Sequence, residues 1–391
     1  MKDSTVRLTG FKLVIVFFVY ALSAGALANE RQVRDEQEFL LNLLETRRLS
    51  ELDARANGFQ KAYEQGKLSD EGLRNRFQAF YNTDPALQSA HDEWVDKYPR
   101  SYAARIGRAS YFRTIGWERR GGKWIRETPE QNIREMLTYF GKATEDLQVA
   151  LGLTDKPILA YFHLLNMSKA RGSGAYDASL IAAANKIDPG NYVARRAYLK
   201  NLVPRWGGSH EAMDKFLEQS RPSVSADTYR KLASVKNHDI AMTLREAGRL
   251  NEALAILSDP VFAGDPYALY DRYYLLRGVG KGKEAFATAE QLLSVGQKEL
   301  DQQKLSNVLN FRGYYLVDVL KRPDLAFKDY LRAAEYGNPW AQGRVGLAYW
   351  HGEGVPANRP KAIEWFRLGA KNGDPDAIRN LKGLMDSSQA H

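Results

Sequence analysis

The sequence predicts an all-α protein, a right-handed α-solenoid of antiparallel helix pairs. Three observations carry this. Sliding the C-terminal end back by 36 residues superimposes Ala362 on Ala326, Phe366 on Tyr330, Ala370 on Ala334, Gly373 on Gly337, Asp374 on Asn338, Pro375 on Pro339 and Ala377 on Ala341. Self-similarity at such a period marks stacked supersecondary units. A second register, at 32 residues, matches Asp239 with Asp271, Leu244 with Leu276, Arg245 with Arg277, Gly248 with Gly280, Glu252 with Glu284, Ala253 with Ala285 and Ala255 with Ala287. Finally, no stretch alternates apolar and polar residues as a half-buried strand would. Apolar residues make up 44% of the chain and are spread evenly, which argues against a long disordered segment.

Residues 1–28 read as a signal peptide. Lys2, Arg7 and Lys12 precede an apolar run from Leu13 to about Leu22, and Ala26-Leu27-Ala28 offers a small-residue cleavage site. The alternative is an uncleaved inner-membrane anchor facing the periplasm, but the run is short for a span of about 20 residues. Cleavage would remove three positive charges and one negative, taking the net charge from +9 to +7. The chain has no cysteine, so disulfides and thiolate metal sites are excluded. A periplasmic location fits both facts. Export argues against nucleic acid as the partner despite a pI near 9.3. Anionic envelope surfaces are the better candidates, and contact with the membrane would be peripheral at most.

Residues 29–51 form a leading helix, with Phe39, Leu40, Leu43 and Leu44 at helical spacing. A helical domain follows over 52–225. Ser69-Asp70-Glu71 opens a helix to Tyr81, and Asp84-Pro85 opens another to Tyr98. Tyr102, Ile106, Ala109, Tyr111 and Phe112 give an apolar face, and Trp117 to Arg126 reads as a turn rich in Trp, Arg and Gly. Thr128-Pro129-Glu130 starts a long helix on which Ile133, Met136, Leu137, Phe140, Ala143, Leu147 and Ala150 recur at steps of three and four. Pro157 begins the next helix, with Leu159, Phe162, Leu165 and Met167 as core. After Gly172-Ser173-Gly174, two helices run to Leu202, and Ser209 is placed to cap a helix through Glu218.

From 226 to 300 the 32-residue register predicts two helix pairs, each with a glycine (Gly248, Gly280) at its internal turn. Residues 301–386 carry the 36-residue register. There Gly337 and Gly373 can close one helix in the left-handed conformation, while Asn338 and Asp374 cap the next, with Pro339 and Pro375 at the first helical position. Gly352 and Gly354 supply a tight turn inside the last pair. Residues 387–391 are expected to be a disordered tail.

The motif Val345-Gly346-x-x-Tyr349-x-x-Gly352-x-Gly354-Val355, followed by Lys361-Ala362-x-x-Trp365-Phe366, closely resembles the Sel-like repeat, a relative of the tetratricopeptide repeat. It covers one full unit and the second half of the unit before it, whose first helix, Asn310 to Leu320, lacks the Gly-x-Gly turn. The 226–300 pairs resemble tetratricopeptide repeats themselves. Tyr98 to Gly107, Arg119-Arg120-Gly121, Lys186 to Leu199 and Pro204 to Ser209 together look like a bacterial helical domain of unknown function, covering about Leu52 to Arg221. These resemblances imply an α-solenoid that binds other macromolecules, and they transfer no catalytic residue.

There is no His-Glu-x-x-His and no Gly-x-Ser-x-Gly; Gly278 to Lys283 has P-loop composition, but Glu284 stands where Ser or Thr is required. The six histidines are scattered, and His163 lies in an apolar run as a core or edge residue. Asp92-Glu93 and Glu145-Asp146 read as solvated helix faces. No enzyme activity, cofactor or metal is therefore expected. Two basic-aromatic stretches remain as a candidate ligand surface: Trp117, Arg119, Arg120, Lys123 and Trp124, and Arg205 with Trp206. Indole faces with adjacent guanidinium forks can stack on sugars or clasp carboxylate or phosphate. The competing reading, which carries more weight, is buried packing with Arg saturating backbone carbonyls. The expected function is a periplasmic, non-enzymatic scaffold that binds a protein or peptide; the alternative is a protein that binds or processes peptidoglycan or another anionic envelope glycan.

Overall fold

A computed structural model of the chain describes residues 32–121, 127–170, 174–295, 300 and 302–389. The signal-peptide region and the 390–391 end of the tail lie outside them. Every regular element among the described residues is helical, and none of these helices is long and apolar enough to cross a membrane. The chain divides into two compact units, the first ending at Lys236 and the second starting at Asn237.

In the first unit, α1 (residues 32–45) and α2 (Leu49–Glu64) lead into α3 (Asp70–Phe77), α4 (Gln88–Lys97), α5 (Tyr102–Arg120), α6 (Glu130–Ala150), α7 (Ile158–Ser168), α8 (Gly174–Ile187), α9 (Val193–Asn201) and α10 (His210–Ser220). The cap signals read at Ser69 and Ser209 act as expected, and Ser101 adds a third. Ser69 Oγ accepts from the Gly72 N–H at 3.0 Å, Ser101 Oγ from the Ala104 N–H at 3.2 Å and Ser209 Oγ from the Ala212 N–H at 3.1 Å, satisfying donors that a helix start leaves open. The helices expected to end at Tyr81 and to begin at Asp84 are shorter, because Gln78–Phe80 and Pro85–Leu87 tighten into 3₁₀ turns.

The core of this unit is one cluster of buried side chains running from Leu40 to Val235, with Trp94, Phe77, Phe80, Tyr111 and Phe140 at its centre. Leu137 and Phe39, expected in the apolar stripes, are exposed instead. Asp146 corrects another expectation. Rather than lying on a solvated face it is buried, with both oxygens taken by Arg108 at 2.8 Å and a further bond from Arg105 at 2.8 Å. This bidentate arrangement ties α5 to α6, the two most extensively packed helices.

Helix α11 (Ala226–Glu246) contains the division between the units. The second unit continues with α12 (Leu250–Leu257), α13 (Pro266–Gly278), α14 (Gly282–Val295), α15 (Gln302–Asp318), α16 (Pro323–Glu335), α17 (Pro339–His351), α18 (Arg359–Lys371) and α19 (Pro375–Gln389). Helix α15 starts at Gln302, eight residues before the expected Asn310. Hairpins α13/α14, α15/α16 and α17/α18 make the main packing, and each hairpin's second helix packs on the next hairpin. The repeated chemistry shows directly: Gly337 and Gly373 take φ of 84° and 93°, and the Ala341 and Ala377 N–H groups donate to Asn338 and Asp374 at 3.1 and 3.2 Å.

Candidate functional site

The two basic-aromatic stretches meet in the first unit. The first of them is not a turn, as expected: α5 continues helically to Arg120 and stops at Gly121, whose φ is 75°. Trp117 and Arg120 are thus placed one helical turn apart, so they share a face. The second stretch is a 3₁₀ turn, Pro204–Trp206. It is held by the close approach of Gly208 to the chain before it, where a Cβ would stand 2.0 Å from the Leu202 carbonyl oxygen.

Between the two lies Lys169, just past the end of α7, which the sequence reading missed. Its ammonium is 4.8 Å from the Trp117 ring centre and 5.7 Å from that of Trp206. The Arg120 guanidinium is 6.0 and 5.8 Å from the same rings, and that of Arg205 is 5.5 Å from Trp206. At these separations cations are attracted by the negative ring faces. Phe140 closes the Trp117 side edge-on at 5.2 Å. Arg120 is only 9% exposed, while Arg205 is exposed.

Of the seven residues singled out in the sequence, Trp117, Arg120, Arg205 and Trp206 come together. Arg119 does not join them: it is exposed and reaches Glu135 on α6 at 3.9 Å. Lys123 and Trp124 lie outside the described residues.

The cluster is strongly positive. Burial lowers the Lys169 pKa to about 7, and Arg113, Arg205, Arg120 and Arg196 push it the same way. Burial, then Arg205, likewise lowers that of Arg120. Among the described residues Lys169 and Arg205 form no ion pair, and the indole N–H of Trp117 is buried without an acceptor. Such an arrangement attracts anions and can donate several converging hydrogen bonds.

Much else in this region is structural. Buried Arg195 donates to Ser220 Oγ at 2.7 Å and to the Pro189 carbonyl at 2.8 Å, and Asp70 caps α9 by accepting from the Tyr192 and Val193 N–H groups. His91 and His163 are fully buried among aromatic rings, and burial depresses both pKa values. Among the described residues no three His, Asp or Glu side chains are grouped to hold a metal.

The second unit carries a crevice. One cavity of about 280 Å³ is lined by Val317, Phe327, Tyr330, Arg344, Leu347 and His351 among others. A second, of about 230 Å³, is lined by Arg277, Asn310, Phe311, Tyr314, Tyr330, Trp340 and Arg344. Tyr330 and Arg344 border both. Trp340 and Tyr314 are 52% and 50% exposed although large and aromatic. Arg277 lies 4.9 Å over the Phe311 ring, and neither it nor Arg344 pairs with a carboxylate among the described residues.

Comparison with known proteins agrees with two of the resemblances read from the residues, the Sel-like repeat and the helical domain of unknown function. The model of the Sel1 repeat matches residues 341–374, which contain most of α17 and all of α18. The model of a domain of unknown function, DUF4034, matches residues 179–229, which include Arg195, Arg205 and Trp206. No curated protein matches. Among solved structures, a Sel1 repeat protein from Oxalobacter formigenes aligns at 17% identity and a TM-score of 0.38, over 84% of this chain and 89% of that one.

Proposed function

We propose that this chain is an exported, non-catalytic interaction scaffold, and that the crevice across α13, α15 and α17 receives an acidic segment of a partner protein. Repeats of the Sel1 type generally mediate protein–protein interaction, and the segment similar to one contributes Arg344 to this crevice, with Trp340 directly before that segment. The observation that carries the reading is the pairing of half-exposed aromatics, Tyr314 and Trp340, with two arginines that lack carboxylate partners among the described residues. Aromatic and Arg side chains dominate interface hot spots, because rings bury much area at low entropy cost and guanidinium forks bind carboxylates bidentately.

A photo-crosslinking amino acid placed at Tyr314 should trap a discrete partner in the producing cell, and Arg277→Glu with Arg344→Glu should abolish the adduct while the far-ultraviolet circular dichroism shows the chain still folded. The same crosslinker at exposed Glu364 on α18 is the control. Equal adducts at both positions, or adducts indifferent to the charge reversal, would rule the crevice out. Export is tested by mass spectrometry of the N-terminus of the fractionated protein, where cleavage after Ala28 is expected.

A further inference from the structure

We propose that the cluster built by Lys169, Arg120, Arg205, Trp117 and Trp206 is a binding site for a dianionic oxyanion of the phosphate-monoester or sulfate class. The argument is independent of the crevice in the second unit. Three cations are gathered from three separate places in the chain, the end of α5, the end of α7 and the turn after α9, and two indole rings fix their positions. Cation–π contacts orient a charge without neutralising it. Neither Lys169 nor Arg205 meets a carboxylate among the described residues, and Arg113 and Arg196 add charge of the same sign. Gathering like charges at a half-buried place costs free energy that a bound anion relieves.

The charge count favours a dianion over a carboxylate, since one negative charge would leave most of the repulsion in place. The donors suit it too: a guanidinium fork and an ammonium point can each take a separate oxygen of a tetrahedral group. The indole N–H of Trp117, buried without an acceptor, can supply one further neutral donor.

Binding should also be linked to protonation. An anion beside Lys169 raises its pKa from the depressed value of about 7, so the complex takes up a proton just above neutral pH. Sulfate serves as the probe, because it does not titrate in that range and any proton must go to the protein.

Isothermal titration of the full mature chain with sulfate, in two buffers of different ionisation enthalpy, should show one site per chain and proton uptake. Lys169→Met should weaken binding at least about tenfold and remove the uptake, and Arg205→Ala, at an exposed position, should weaken it without affecting folding. Lys169→Arg should bind without uptake, because a guanidinium stays charged. Glycerol phosphate and vesicles containing phosphatidic acid, run alongside, distinguish a soluble phosphoester from a membrane headgroup. Absence of binding to the wild-type chain overturns the proposal. So does binding that Arg205→Ala and Lys169→Met leave unchanged.

Discussion

His91 shows how a single side chain in the first unit is expected to govern acid stability. Its ring stacks on Tyr111 at 4.9 Å and meets Phe80 edge-on at 5.8 Å, with neither ring nitrogen hydrogen-bonded. Burial, then Arg108 and Arg47, lowers its pKa to about 3. In the unfolded chain an ordinary histidine takes a proton below about pH 6.5, whereas the native chain refuses it until about pH 3, so stability falls as pH drops through that window. His91→Phe keeps the packing and deletes the linkage. Unfolding free energies from denaturant titrations between about pH 6 and about pH 4 should then fall less steeply, by about 1.4 kcal/mol per pH unit, than in the wild type. An unchanged slope would show that His91 is already charged in the native state. This residue was visible in the sequence only as one of six scattered histidines. Lys169 was not visible at all. What makes either of them special is the surroundings that distant helices bring, and no local pattern encodes that.

At the level of elements, starts and stops were legible and contacts across helices were not. Ser69, Ser209 and Asn338 cap the helices they precede because capping is a local hydrogen bond. The end of α5 was read as a turn because Trp, Arg and Gly look loop-like together, yet the helix holds until Gly121 supplies the positive φ. The Gly352-Glu353-Gly354 turn separates the two kinds of information. Both glycines have positive φ, 75° and 74°, which the sequence suggested. Only Gly354 lies against another element, with a Cβ there falling 2.2 Å from the Pro323 carbonyl oxygen at the start of α16; at Gly352 the nearest atoms are 3.5 Å away. Gly352→Ala should therefore cost about 1 kcal/mol, the strain of the left-handed conformation alone. Gly354→Ala should cost at least about twice that, since backbone must also move. Thermal unfolding of the two variants checks the order, and equal losses would mean that α16 yields freely.

For the whole molecule, the question is how far a local defect spreads. The all-α class and the helix-pair repeats were readable because the apolar period and the glycine punctuation recur along the chain. The distribution of core residues was not. The first unit has one large cluster, and the second a smaller one from Ala241 to Val345, but the last hairpin is held by Ala362, Phe366 and Ala377 with a few half-buried neighbours. Phe366 is the centre of that end: its ring lies so close to α17 that a Cβ on Gly346 would stand 2.6 Å from it. In repeat architectures each unit is stabilised chiefly by its neighbours, so a terminal defect should stay terminal. Phe366→Ala removes about 3–5 kcal/mol of packing, more than so small a cluster can spare. Hydrogen exchange followed by mass spectrometry should show α17, α18 and α19 losing protection together, α13 and α14 changing little, and α2 to α9 not at all. A loss shared evenly from α2 to α19 would mean instead that the chain unfolds as one cooperative body, and the nearest-neighbour account of its stability would have to be given up.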